Sequence, residues 1–468
     1  MIFSVEHPAR RNRIALVHAS TGASWTFAKL SEEVRHRCDA LNSLPRGLLL
    51  LFCHNDPNSV AWYLAALESE MPVLLVSAEL DKRLQSELFN VYRPDLVVAE
   101  SAPDFHEYKN AGVDNFWQRA ERKDEAPHPQ LSLLLSTSGS TGSPKLVRLS
   151  KANVVANATS IRQALRIEPD HFPVAYLPLH YSYGLSVVNS HLLAGAKVLL
   201  TDSGLTSADF WHAIRTHQAN SFSGVPYAYQ VLRRLDLDKV DAPSLRIFTQ
   251  AGGKLDTANI AHFHERTALR GGAFWVMYGQ TEATARITVL PPEELPRKLG
   301  SVGKAIPGGK LSIRSETGEV TTAGNAAGEL VYEGPNVMMG YSEKRDDLSK
   351  GDELRGRLET GDRAFLDDES FVYIVGRAKR DAKVFGLRIN LDELEAFVKK
   401  SGPAAAVPVG DRVVVFCEFG NDDHLRQIRQ ELSTLMQIHS SAIQLRRIDQ
   451  LPIKLSGKID YEELQQLL

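Results

Sequence analysis

Between two apolar runs, the stretch STSGSTGSPK (Ser136–Lys145) strings together hydroxyl side chains and two glycines and closes on an ammonium. Hydroxyl donors and glycine amides followed by a cation can wrap the oxygens of a polyphosphate. The stretch is nevertheless not a Walker loop. Counted from Gly139, the second glycine of G-x-x-x-x-G-K-[ST] would fall on Pro144, and Lys145 is followed by Leu146 instead of a hydroxyl residue. Taken alone, a solvated Ser/Gly hairpin explains these residues as simply as an anion site does.

Other polar clusters follow: QAGGKLD (250–256), YGQTEA (278–283), GELVYEGPNVMMGY (328–341), LETGDRAFLDDESFVYIVGRAKR (358–380) and LSGKID (455–460). In this order, and covering essentially the whole chain, the set resembles the adenylate-forming superfamily of acyl- and aryl-CoA ligases, nonribosomal-peptide adenylation domains and firefly luciferase. The resemblance implies ATP-dependent activation of a carboxylic acid to an acyl-adenylate with release of pyrophosphate. Transfer to a thiol follows, from coenzyme A or from the phosphopantetheine arm of a separate carrier protein.

It also implies roles. Thr137, Ser138, Gly139, Ser140, Thr141, Gly142 and Lys145 would hold the β- and γ-phosphates, and Thr281 the α-phosphate. Glu282 would bind Mg²⁺, an oxygen-seeking ion that commonly bridges phosphates. Gly252, Tyr278 and Gly279 would line the nucleotide site, and Gly224, Gly252, Gly253 and Gly279 the acid site. Asp362 and Arg377 would take the ribose hydroxyls. Lys458 would be the catalytic cation at the α-phosphate and the attacking carboxylate. Lys379 would be the hinge of a rotating C-terminal domain, and Gly386 would line a thiol tunnel. Each has a plain alternative: a turn aspartate for Asp362, a helix cap for Glu282, a solvated surface lysine for Lys458.

In LPLHYSYGLS, the run Pro178-x-His180-x-x-x-Gly184 resembles the segment that acyl- and aryl-CoA ligases place beside the carboxylate; a hydrogen-bonded core histidine is the alternative. Amino-acid-activating relatives carry an aspartate in this neighbourhood, where Tyr181, Ser182 and Tyr183 stand here, so an aryl or acyl acid is expected. An amino-acid activator and a non-catalytic nucleotide-binding homologue are the alternatives. Tyr227 and Tyr229 could wall an apolar acid pocket or pack within a helix. The chain departs from the family pattern at Leu146, where glycine is usual, and at Asn390, where glutamate is usual.

The elements that must position these groups are legible. With 468 residues, the chain exceeds one core and should form several units on the prior of roughly 100–200 residues per domain. Helical and strand patterns alternate to about residue 100 and again from Leu131, as in a doubly wound, mostly parallel sheet. Residues 101–130 read as a surface connection. Past residue 297, short strands broken by Gly and Asp turns predict an antiparallel β-rich subdomain. The expected architecture is α/β, with an N-terminal ATP- and acid-binding domain over 1–377 and a small mobile α+β domain over 378–468. A net charge of −3 with mixed signs gives no nucleic-acid footprint. The N-terminus lacks a secretory h-region, and no apolar run reaches the ~18 residues of a membrane span. Three scattered cysteines give no disulfide framework, so a cytoplasmic protein is expected.

Overall fold

A computed structural model describes residues 3, 5–100, 108–112, 115–121, 124–136, 145–237, 239–315, 317–322, 324–377, 381–384, 387–410, 412–435, 439–454 and 458–468. The chain divides into two compact units, Met1–Lys310 with Glu333–Leu358 and Leu311–Tyr332 with Glu359–Leu468. The expected boundary at 377/378 falls inside the second unit, and Lys379 lies outside the described residues.

The first unit carries two large sheets. In the eight-stranded sheet, Leu131–Ser136, Val73–Ser77, Leu49–Cys53 and Leu96–Val98 lie side by side and parallel. These are the continuous apolar runs of the sequence, buried as strands covered on both faces must be. In the nine-stranded sheet the parallel strands are ordered Ala273–Tyr278, Ile247–Gln250, Ser221–Gly224, Pro173–Ala175, Val198–Leu200 and Ile14–His18. Helix starts follow their caps: the Thr26 side chain accepts from the Lys29 amide at 3.1 Å ahead of Phe27–Asn42, and Asp56 caps Pro57–Glu68 with proline in its first turn.

One local expectation is corrected, and one departure from the family pattern is explained. The region 101–130 is not wholly irregular: Phe116–Arg119 pairs antiparallel with Leu96–Val98, and Tyr108–Asn110 extends that edge. Phe116 is fully buried there against Trp62. The polar composition of the region hid a short strand held by one aromatic anchor. Leu146 is likewise explained. It opens the strand Leu146–Ser150, is opposite Ser136 on one side and Ser342 on the other, and packs with Leu50, Leu134 and Met339. The position needs an apolar side chain at a strand start, where glycine would leave a gap in the core.

The second unit holds most of the expected antiparallel sheet, ordered Val320–Thr321, Lys310–Arg314, Gly328–Glu333, Arg357–Leu366 and Val372–Arg377. It continues through the hairpin Asp381–Val384/Leu387–Asn390 to a three-stranded sheet of Ala404–Val409, Arg412–Cys417 and Ile443–Arg447. The helices Leu391–Val398 and Asp422–Leu435 bury Leu394, Val398, Ile428 and Leu432 with Val413 and Val415. The strand Ala404–Val409 was not read from the sequence, because its run of small residues lacks the branched or aromatic side chains that mark strands.

Candidate active site

Three adjacent parallel strands of the first unit, Ser221–Gly224, Ile247–Gln250 and Ala273–Tyr278, run in register, with Gly224 paired to Gln250 and Gln250 to Val276, and the third continues two residues further. Tyr278 closes the third strand, and just past the ends stand Gly252, Gly253 and Gly279. Ligands of open α/β sheets bind outside the carboxyl ends of parallel strands, so this edge has the geometry of a site. Most of the glycines at this edge leave no room for a side chain. Gly252 has φ +86° and a Cβ on it would meet the Tyr181 hydroxyl at 2.7 Å, while one on Gly224 would meet the Tyr229 ring at 2.7 Å.

After Tyr278 the chain makes a 3₁₀ turn, Thr281–Ala283, which presents Thr281 and Glu282. The buried hydroxyl of Thr281 lies 3.0 Å from that of Ser182, which opens the helix Ser182–Ala194. Residues 336–338 pin the turn. Met338 donates its amide to the Glu282 carbonyl at 2.9 Å, and the Asn336 side chain donates to the carbonyls of Ala283 and Arg286 at 2.8 and 2.9 Å. The left-handed Thr284, at φ +63°, donates its hydroxyl to the Asn336 carbonyl at 2.6 Å. Backbone strain of this kind persists only where its surroundings enforce it.

Tyr341 was missed by the sequence reading, although it lies in a quoted motif. Its hydroxyl donates to Glu282 Oε1 at 2.8 Å, and Lys145 Nζ stands 3.8 Å from its ring centroid. Burial and the neighbouring Glu282 charge push the Tyr341 hydroxyl up, so it remains a donor. The tyrosine therefore joins Lys145, the last residue of the hydroxyl loop, to Glu282. A ring at the right distance leaves no spacing signal, so only the fold could show this. Thr137, Ser138, Gly139, Ser140, Thr141 and Gly142 lie outside the described residues.

Among the described residues there is no cluster of three or more His, Cys, Asp or Glu groups that could hold a metal. Glu282 alone offers a carboxylate with one oxygen engaged by Tyr341. That donor set fits a Mg²⁺ that takes its other ligands from phosphates and water, not an ion caged by protein.

His180 ends the turn before Tyr181. Burial lowers its pKa to about 4, against a weaker opposing pull from Asp202, and its buried Nδ1 has no partner among the described residues. The imidazole is neutral at pH 7 and can hydrogen-bond but cannot act as a fixed cation. His191, fully enclosed in the helix Ser182–Ala194, is lowered to about 3 by the same cause. Both folded pKa values lie below the unfolded value of 6.5, so the unfolded chain binds more protons in acid. Their contribution is complete above pH 6.5 and is lost as pH falls towards 4 and 3. Between pH 6.5 and 5 each should cost about 2 kcal/mol of stability. Urea unfolding at pH 7 and pH 5 measures this. His191→Asn should shrink the acid loss by one share; an unchanged difference would discard the assignment.

Tyr229 resolves as a core residue. Its hydroxyl donates to the Thr249 carbonyl at 2.8 Å and its ring packs on Phe222, Phe263 and Phe274. Helical packing was the correct alternative there.

In the second unit, Asp362 lies within the strand Arg357–Leu366, which replaces the turn alternative, and is directly opposite Arg377 in the antiparallel register. The two residues expected at one sugar are thus cross-strand neighbours. The Lys458 carbonyl accepts from the Lys454 amide at 2.8 Å, and Asp460 donates its amide to the Pro452 carbonyl at 2.8 Å. Lys379 and Gly386 lie outside the described residues.

Parallel sheets with convergent glycines and a pinned Thr-Glu turn at their carboxyl edge define an α/β protein with a built small-molecule site. The AMP-binding enzyme family model matches residues 5–342, and the chain belongs to that family, within the adenylate-forming superfamily. It is 32% identical over 270 residues to an oxalate–CoA ligase of Arabidopsis thaliana, covering 57% of this chain and 51% of that protein. It is 26% identical over 359 residues to a luciferin 4-monooxygenase of Luciola mingrelica, covering 72% and 64%. The chain thus spans between half and two thirds of the length of these curated relatives. Among solved structures, the o-succinylbenzoate CoA synthetase of Bacillus subtilis, in complex with its acyl-adenylate, superposes with a TM-score of 0.76 at 22% identity over 98% of this chain and 96% of that one. The architecture is therefore that of this group: large α/β sheets with a β-rich subdomain. Among the described residues no helix is long and apolar enough to cross a membrane.

Proposed function

We propose that the protein is an AMP-forming acid–thiol ligase. In the first half-reaction a substrate carboxylate oxygen attacks the α-phosphorus of ATP. The bond to pyrophosphate breaks and an acyl-adenylate forms. In the second, a thiolate attacks the activated carbonyl and AMP leaves. The observation that carries this reading is the set of Gly224, Gly252, Gly279 and Thr281 at one sheet edge in a chain of the AMP-binding family.

In this reading the hydroxyl loop and Lys145 grip the departing pyrophosphate, and Thr281 donates to the α-phosphate. Glu282 accepts Mg²⁺, whose charge would offset that of the phosphates. Tyr341 orients both Lys145 and Glu282. His180 acts as a neutral hydrogen-bonding group beside the acid. Asp362 and Arg377 take the ribose, and Lys458 neutralises the α-phosphate as charge develops. Lys379 is the hinge and Gly386 part of the thiol path. The N-terminal functional domain runs to residue 377, and the protein works in the cytoplasm.

The named relatives include coenzyme A ligases, which supports coenzyme A as acceptor; a separate carrier protein is the other acceptor of the same chemistry. An amino-acid substrate is disfavoured by charge, because the Tyr183 neighbourhood carries a buried cation, Arg286, where an ammonium would need an anion.

ATP–pyrophosphate exchange across aryl, fatty, dicarboxylic and amino acids tests the reading. Exchange with a subset of non-amino acids is expected, and silence with every acid would sink it. The productive acid, offered with coenzyme A and then with holo carrier proteins, identifies the acceptor.

A further inference from the structure

Arg286 is 2% exposed, four residues beyond Glu282, and among the described residues it pairs with no carboxylate. Its guanidinium lies 4.6 Å from the Tyr183 ring centroid, its Nη2 donates to Ser186 Oγ at 3.3 Å, and its Nε is buried without a partner. The other buried arginines are paired differently. Arg345 meets Asp95 at 2.6 Å, Arg119 bridges Asp95 and Asp124, and Arg148 meets Glu353. A fully enclosed guanidinium with one hydroxyl and one aromatic face is under-compensated, because desolvation removes more than these neutral groups return.

Arg286 also lines a small internal cavity, with Tyr183, Ser186, Ser190, Ser223 and Thr249 among its walls. Ser223 immediately precedes Gly224, and Thr249 precedes Gln250 at the end of its strand. The cavity is therefore built from the same strands whose carboxyl ends carry the candidate acid site, a few residues further back. The two imidazoles that line the cavity, His171 and His191, bring no negative charge to it. Hydroxyls that can turn to donate, plus a cation lacking its anion, form the complement of a carboxylate.

We propose that Arg286 is the counter-ion for a second anionic group on the acid, so that the substrates are dicarboxylic acids with one carboxylate adenylated and the other held at Arg286. This rests on the ligase reading and adds the substrate class to it.

Matched pairs in ATP–pyrophosphate exchange test it: succinate against butyrate, adipate against hexanoate, phthalate against benzoate. For at least one pair the wild type should favour the diacid by about 100-fold in kcat/KM, since a site with a buried polar partner rejects the analogue that lacks its mate. Arg286→Met should cut that diacid-to-monoacid ratio by about the same factor. Equal or better exchange with the monoacid in every pair would overturn this inference and leave the ligase reading standing. Exchange with no acid at all would overturn both. The wild-type ratios decide the matter even if the variant fails to fold.

Discussion

Lys458→Ala is expected to lower ATP–pyrophosphate exchange by about 100-fold or more, yet to leave thioester formation from a preformed acyl-adenylate within a few-fold of wild type. The asymmetry follows from where charge develops. When the carboxylate attacks, negative charge gathers around the α-phosphorus while two anions approach each other, and a positioned ammonium offsets it. When a thiolate attacks the acyl carbonyl, the pyrophosphate has already gone and the leaving group is AMP, so the same cation contributes little. The substitution should not disturb the local fold. The backbone bonds from the Lys454 amide to the Lys458 carbonyl and from the Asp460 amide to the Pro452 carbonyl do not involve the side chain, and Asp460 independently caps the helix Tyr461–Gln466. Single-turnover assays of the two half-reactions, beside a thermal melt, separate the outcomes. Equal loss in both half-reactions would reject the role of Lys458 in adenylation.

Gly279→Ala should be the most damaging change of a single methyl group at the candidate site. A Cβ on Gly279 would lie 2.0 Å from the carbonyl oxygen of Ala285 and 2.8 Å from the Arg286 Cα. Both obstacles are backbone, fixed by the Ile287 amide donating to the Tyr278 carbonyl at 2.9 Å and by the antiparallel pairing of Tyr278 with Thr288. No rotamer change relieves the clash, so the return segment must move, carrying Thr281, Glu282 and Arg286 with it. A loss of about 3 kcal/mol in stability is expected, with exchange activity falling more than about 100-fold. Gly253→Ala makes the contrast. Its nearest obstacle is Pro226 Cγ at 3.1 Å, and its stability should stay close to wild type. Chemical denaturation of both variants checks the difference; a Gly279→Ala protein that unfolds at the wild-type midpoint would show that the turn is not held as described.

Much of the site was legible in the residues. YGQTEA and QAGGKLD could be placed because they resemble signature segments of the adenylate-forming superfamily, and the structure sets both at one sheet edge. A helix start such as Thr26 was legible from the local sequence, because its side chain bonds an amide only three positions away. Tyr341 and Arg286 were not legible. The role of Tyr341 depends on bringing Lys145 to its ring and Glu282 to its hydroxyl from distant segments. Arg286 occurs in a short apolar run, ATARITVL, and nothing in that run reveals that its charge is enclosed without an anion.

By itself the sequence determined the α/β alternation, the family resemblance and the chemistry available to each motif. These rest on local periodicity and on side-chain types, which do not change on folding. Only the tertiary structure decided that Asp362 is a strand residue facing Arg377, that Leu146 is core and that His180 is neutral. It alone left Arg286 buried with no carboxylate partner among the described residues. Burial and pairing set charge state and energetic cost, and both depend on contacts between residues far apart in the chain.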